Sequence, residues 1–240
     1  MLDRFNAIKF VMVVSFVSSL VLALIYSVLY ETVEENILLD KKQSILKAID
    51  IDTSKLSSDE LNLKYQHHIN ELVINVDGKI VDMPLSEITW KENKATGMTD
   101  YLYFEDKNQY LPLYESQNPN GYIIPISGKG LWSTLKGYFA ISEDKNTSLG
   151  IVFYSHKETP GLGGEVDKVW FQDQFKIDQG KKIFNEDGSL VSIIVNNRKN
   201  TSGKPHEVDG ITGATVTSDG LTKFLMRDLK RYLNFLKDAN

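Results

Sequence analysis

The segment Asp209-Gly210-Ile211-Thr212-Gly213-Ala214-Thr215-Val216-Thr217-Ser218 gathers four hydroxyls beside small residues, just before a helical pattern begins. Small neighbours leave a hydroxyl accessible, and the N–H groups of a helix start, together with such hydroxyls, suit a phosphate. The plain alternative is a glycine turn before a capped helix, with Ser218 or Asp219 as the cap. A second cluster, Glu158-Thr159-Pro160-Gly161-Leu162-Gly163-Gly164, follows a strand pattern that ends near Tyr154. Its glycines permit unusual backbone angles and close approach to a flat or phosphate-bearing ligand. Thr159 offers a hydroxyl, Glu158 a carboxylate, and the glycine N–H groups can donate to ring carbonyls. Read alone, the run also fits a tight loop entering the next helix.

Other chemistry is excluded more firmly. None of the 240 residues is cysteine, which removes disulfides, thiolate zinc sites, protein-ligated iron–sulfur clusters and a cysteine nucleophile. No Gly-x-Ser-x-Gly elbow occurs, and neither His156 nor His206 has an evident nucleophile beside it, so no hydrolase triad is expected. His67 and His68 are adjacent and cannot share one helical face, and no metal site is expected. With 27 Lys and Arg against 32 Asp and Glu, the chain lacks the basic stripe of a nucleic-acid binder. A hydrophobic share of 42% is enough to build a packed core.

The elements that must position these clusters begin with a membrane signature. Phe10 to Leu29 is a run of 20 residues without a charge, and a helix of that length spans about 30 Å, the thickness of bilayer hydrocarbon. The run continues into Tyr30-Glu31-Thr32-Val33 without a cleavage site, so residues 10–30 read as an uncleaved single-pass anchor in contact with lipid. Arg4 and Lys9 precede it and Glu31, Glu34 and Glu35 follow. The positive-inside rule then keeps residues 1–9 in the cytoplasm and puts the rest on the outer face.

Residues 31–56 read as a stalk, helical from Val33 to about Ile51, and Ser57 or Ser58 caps a short helix. Residues 72–76 and 79–81 read as strands around an Asp77-Gly78 turn. Further strand patterns occur at 101–104, 110–114, 122–126, 137–141, 149–154 and 190–195. Leu221, Phe224, Leu225, Leu229, Tyr232, Leu233 and Leu236 form the apolar stripe of a closing helix. Strands with a few flanking helices predict an α+β fold on a largely antiparallel sheet.

Asp209 to Thr215 resembles the Asp-Gly-x-(Ser/Thr)-Gly-Ala-Thr flavinylation motif of FMN-binding domains, in which the last threonine carries FMN through a phosphoester bond. Carried over, Thr215 is the attachment residue; Asp209, Thr212, Gly213 and Ala214 complete the motif, and Thr217 lies just beyond it. The run from Glu158 to Gly163 resembles the same family's Glu-Thr-Pro-Gly-Leu-Gly segment, which lies against the flavin. The resemblance implies that Glu158 and Thr159 contact polar ring or ribityl atoms and that Leu162 covers an apolar face, with Gly161 and Gly163 beside it. It also implies that Asp209 orders the motif loop or aids the attaching enzyme. Ser127-Gly128-Lys129-Gly130-Leu131-Trp132, followed by Gly137-Tyr138, narrows the likeness to the NqrC family of Na⁺-translocating NADH:quinone oxidoreductases. Gly128 and Trp132 then join the cofactor-binding set, with Trp132 either packed near the ring or simply part of the core. Residues 121–240 become the FMN-binding domain, and residues 57–120 an α+β extension.

The same resemblance implies a bacterial inner-membrane subunit whose covalent FMN relays single electrons. The donor would be an iron–sulfur-bearing membrane subunit and the acceptor a neighbouring FMN-bearing membrane subunit. The whole complex would oxidise NADH, reduce ubiquinone and export Na⁺. With no cysteine and no Gly-x-Gly-x-x-Gly fold here, NADH oxidation is expected on other subunits, and a separate Mg²⁺-requiring flavin transferase attaches the cofactor. The homologous flavoprotein of ion-translocating ferredoxin:NAD⁺ oxidoreductase complexes shares both motifs and is the rival within this class. A tethered scaffold or sensor, with the threonines as plain caps, is the rival outside it.

Overall fold

A segment with apolar side chains on every face, and no Gly or Pro to break it, has every reason to stay helical. In the computed structural model α1 (Leu2–Ala48) is one uninterrupted helix of 47 residues, joining the expected anchor and stalk. Phe10, Phe16, Leu22 and Val28 are exposed along it, and by length and composition it can cross a membrane. The structure describes residues 2–103, 108–197, 201 and 203–238. The chain forms two units, Met1–Asp40 and Lys41–Asn240, and the second contains the sheet.

In that second unit α2 (Ser58–His68) starts on a capping box: Ser57 accepts from the Glu60 N–H, and Glu60 accepts from the Ser57 N–H at 2.8 Å. The chain then enters β1 (Ile69–Asn75) and returns as β2 (Ile80–Val81). With β5 (Tyr110–Gln117), β6 (Asn120–Lys129), β7 (Thr134–Ser142) and β8 (Ser148–Ser155) these make one six-stranded sheet. Its order is β2-β1-β5-β6-β7-β8, and each neighbouring pair is antiparallel. The strands within 69–81 and 110–155 thus share a single sheet, on both sides of residue 121, where the ligand-bearing part was expected to begin.

Strand alternation sends Leu111, Leu113, Ile124, Ile126 and Phe139 to one core, where α4 (Thr215–Arg231) adds Leu221, Phe224, Leu225 and Leu229. Each of these side chains is worth about 1.5–3 kcal/mol when fully buried. The seating of α4 on the sheet is therefore fixed by several such contributions together. A short α5 (Leu233–Lys237) closes the chain. Elsewhere on the sheet the end of α1 lies over β8, with the Ala48 carbonyl standing where a side chain on Gly150 would be. Tyr65 of α2 donates to Glu71 of β1 at 2.8 Å.

Three sequence expectations change. The 101–104 pattern belongs to a separate hairpin of β3 (Ile88–Glu92) and β4 (Thr99–Tyr103), and Phe104 lies outside the described residues. The 190–195 pattern is broken at Ser192, whose φ is 67°; only β9 (Ile194–Asn196) is strand, paired in parallel with β10 (Glu207–Asp209). Finally, α4 begins at Thr215, ahead of both expected caps. The Ser218 hydroxyl already lies inside the helix, where it accepts from the Ile211 N–H at 3.3 Å.

Candidate functional site

Three pieces of backbone converge on one carboxylate. Residues 130–133 join β6 to β7, and the Lys136–Ser155 pairing brings the segment after β8 alongside them. Glu158, 5% exposed, fills the space between. Its Oε1 accepts from the Trp132 N–H at 3.0 Å, the Ser133 N–H at 2.9 Å and the Ser133 hydroxyl at 3.1 Å. Its Oε2 accepts from the Leu131 N–H at 3.1 Å and from the Thr217 hydroxyl of α4 at 2.8 Å. Burial works to raise the pKa of this carboxyl, but the Thr217 hydroxyl and the three N–H donors outweigh it and hold the value below the usual range. Glu158 is thus an ionised hub whose two oxygens serve the protein. This geometry gives it the task of tying two loops to a helix.

Close backbone approaches set the rest. A Cβ at Gly163 would stand 2.6 Å from Thr217 Oγ1 and 2.7 Å from Glu158 Oε2. A Cβ at Gly128 would stand 2.3 Å from Phe224 Cβ, so the expected site residue Gly128 serves to seat α4 on β6. Farther along α4, Asp228 accepts from the Ser127 N–H at 2.8 Å and Arg227 donates to the Ser127 carbonyl. These contacts fix where the first turn of α4 lies relative to the 158–164 loop.

That first turn separates three threonines alike in sequence. Thr217 is 1% exposed and bonded to Glu158, so it is not an accessible hydroxyl. Thr212 is exposed in the preceding turn. Thr215 is exposed at the first residue of α4, and among the described residues no side chain caps that helix start. Its leading N–H groups are therefore available to an anion. Asp209 accepts from the N–H and hydroxyl of Thr201 at 2.9 Å and 2.8 Å, which ties the approach to the turn to residue 201. Gly213 takes a φ of 78°, Ala214 is buried, and the side chain of Leu162 lies 3.0 Å from where a Gly213 Cβ would be.

The loop clusters come together at that contact. Thr159 and Gly161 are exposed, and the Thr159 carbonyl accepts from the N–H groups of Leu162 and Gly164. Leu131, Trp132, Leu162 and Val216 are all exposed large apolar side chains, and Trp132, at 72%, is no part of the core. A reachable hydroxyl on an uncapped helix start, beside uncovered apolar side chains, fits a ligand with a phosphate at one end and a flat ring at the other. Sequence reasoning missed Ser133 and the buried role of Thr217. Both depend on Glu158, and no local spacing marks such partners.

Comparison with known proteins agrees with this geometry. The FMN-binding domain family model matches residues 130–230, which hold both clusters. The NqrC protein of the Na(+)-translocating NADH-quinone reductase of Pseudomonas aeruginosa is 34% identical over 229 residues, covering 89% of this chain and 87% of that protein. The chain belongs to this NqrC family. The Yersinia pestis NqrC is 29% identical over 210 residues, covering 78% of this chain and 74% of its own. The crystal structure of the Parabacteroides distasonis NqrC superposes with a TM-score of 0.71 at 31% identity, covering 88% of this chain and 98% of that one. Within this NqrC-family chain, residues 50–115 lie outside the FMN-binding match.

Proposed function

We propose that the chain is the covalent flavoprotein subunit of a Na⁺-translocating NADH:quinone oxidoreductase, with FMN held by a phosphoester on Thr215. The observation that carries this reading is the contrast between the exposed Thr215 on an uncapped helix start and the buried, hydrogen-bonded Thr217. When bound, the flavin supplies one-electron carriage between an iron–sulfur-bearing partner and a flavin-bearing one. Thr215 would hold the phosphate end, and the first N–H groups of α4 would share its charge. Leu162 would cover the ring, Trp132 would pack near it, and exposed N–H groups of the 158–164 loop would meet ring carbonyls. Glu158 would keep these groups in register without touching the ligand. Orientation and tuning of the ring are what such a protein contributes.

The family and the long apolar helix support membrane anchoring. We place residues 10–30 in the bilayer and the flavin-bearing domain on the outer face, with a flavin transferase acting in maturation. The test is mass spectrometry of the Thr215 peptide from chain coexpressed with that transferase. The expected mass increment is that of FMN less water, localised to Thr215. Denaturing gels under ultraviolet light should show a fluorescent band that vanishes in Thr215→Ala and survives in Thr217→Ala. An unmodified Thr215 in the native assembled complex would leave a tethered scaffold as the better reading.

A further inference from the structure

His156 immediately precedes the loop that carries Leu162, and Asp167 ends the 3₁₀ turn Gly163–Asp167 that follows it. Their side chains meet across the base of that loop, with His156 Nε2 2.6 Å from an Asp167 carboxylate oxygen. The other ring nitrogen, Nδ1, lies 3.1 Å from the backbone nitrogen of Glu158. A backbone N–H can only donate, so Nδ1 holds the lone pair and the ring proton sits on Nε2, donated to Asp167. Both nitrogens are thereby used, and the ring keeps no free position for a metal or for general-base work. The imidazole side chain is 12% exposed, while Asp167 is 47% exposed. The neighbouring Lys157 N–H donates to the Ser133 hydroxyl at 2.8 Å, and that hydroxyl donates in turn to Glu158. The clasp therefore joins both ends of the loop to the same carboxylate hub.

We propose that His156, tethered by Asp167, is a positioning residue that holds the Glu158-to-Gly164 loop, and Leu162 with it, over the flavin. This rests on the flavoprotein reading above and adds a residue to it. Losing a hydrogen bond to a charged group should raise the displaced population of the loop by roughly tenfold or more. The test uses the full-length chain coexpressed with a flavin transferase and purified in detergent, with His156→Ala, Asp167→Ala and Asp167→Asn compared with the unmodified sequence. In His156→Ala and Asp167→Ala, iodide should quench the native flavin more strongly, and the flavin midpoint potential should shift. Asp167→Asn keeps an oxygen that accepts the Nε2 proton, so it should behave like the unmodified sequence in both measurements. Unchanged quenching and potential in both alanine variants would overturn the proposal, and so would Asp167→Asn matching Asp167→Ala. Should His156→Ala not fold, the half-exposed Asp167 still carries the comparison. Covalent fluorescence in denaturing gels is read in parallel. Its absence from the unmodified sequence would fault the flavoprotein reading itself.

Discussion

Replacing Glu158 tests whether the site is held by one carboxylate. In Glu158→Ala, three N–H groups (Leu131, Trp132, Ser133) and two hydroxyls (Ser133, Thr217) lose their acceptor together. A buried donor left unmatched costs about 1–3 kcal/mol, and the hydroxyls can rotate to other acceptors. Partial relaxation of the 130–133 loop then leaves an expected loss of about 3–5 kcal/mol, the scale seen when a buried charge network loses a member. Glu158→Gln is the sharper variant. Its amide oxygen can serve the Trp132 and Ser133 donors, while its NH₂ faces the Leu131 N–H and the Thr217 hydroxyl. Thr217 can turn to accept, but the Leu131 N–H stays unmatched, so the cost should be about 2 kcal/mol. Urea unfolding followed by far-ultraviolet circular dichroism and by flavin absorbance would read both. The flavin signal should change at lower urea than the backbone signal, because the loops beside the helix start open first. Were Glu158→Gln as stable as the unmodified sequence, with an unaltered flavin spectrum, the hub reasoning would be wrong.

Four other outcomes follow from the same geometry. The depressed pKa of Glu158 gives stability that is present above the ordinary carboxylate range and lost as pH falls through the lower folded value. Acid titration of stability should therefore show a decline in that window that flattens in Glu158→Gln. Thr217→Val, which removes the helix-borne donor to Glu158, should cost about 1–2 kcal/mol in urea unfolding yet leave covalent fluorescence intact. Gly163→Ala puts a methyl within 2.7 Å of both Thr217 Oγ1 and Glu158 Oε2, and should destabilise by about 1–3 kcal/mol while raising flavin accessibility to quenchers. Trp132→Ala, at an exposed position, should change stability by no more than about 0.5 kcal/mol. It should nevertheless alter the flavin fluorescence yield.

Much of this was legible in residue order, where the controlling interactions are local. The uncharged run from Phe10 predicts a long helix because nothing within it prefers another state. The sequence offers Ser57 or Ser58 as the cap of α2, and the structure selects Ser57, whose capping box with Glu60 is complete within four residues. The α4 stripe and the antiparallel sheet follow from periodicities of the same kind. The β3 strand of the hairpin is harder to see because Trp90 does not mark a buried face: it is 59% exposed, with the Lys136 ammonium over its ring. The start of α4 was misplaced for a related reason. Thr217 and Ser218 have the composition of caps, and only their distant or inward partners show that they are not.

The division of labour inside the two motifs is likewise invisible in sequence and plain in space. The motif resemblance singles out Thr215, but nothing in residue type or local spacing says what Thr217 does instead. Thr217 is withdrawn from chemistry by a carboxylate 59 positions earlier, and Gly163 must lack a side chain because that same pair occupies the space. Under the proposed function, motif residues would fall into those that face the ligand and those that fix where it lies. Thr215, Leu162 and Trp132 would belong to the first group; Glu158, Gly163, Thr217 and Gly128, by their contacts, would belong to the second. An electron carrier needs both, because ring orientation and ring environment are properties of the frame as much as of the contacts. The frame here is one ionised carboxylate with five donors, so the position of the ring and the acid stability of the domain should fail together.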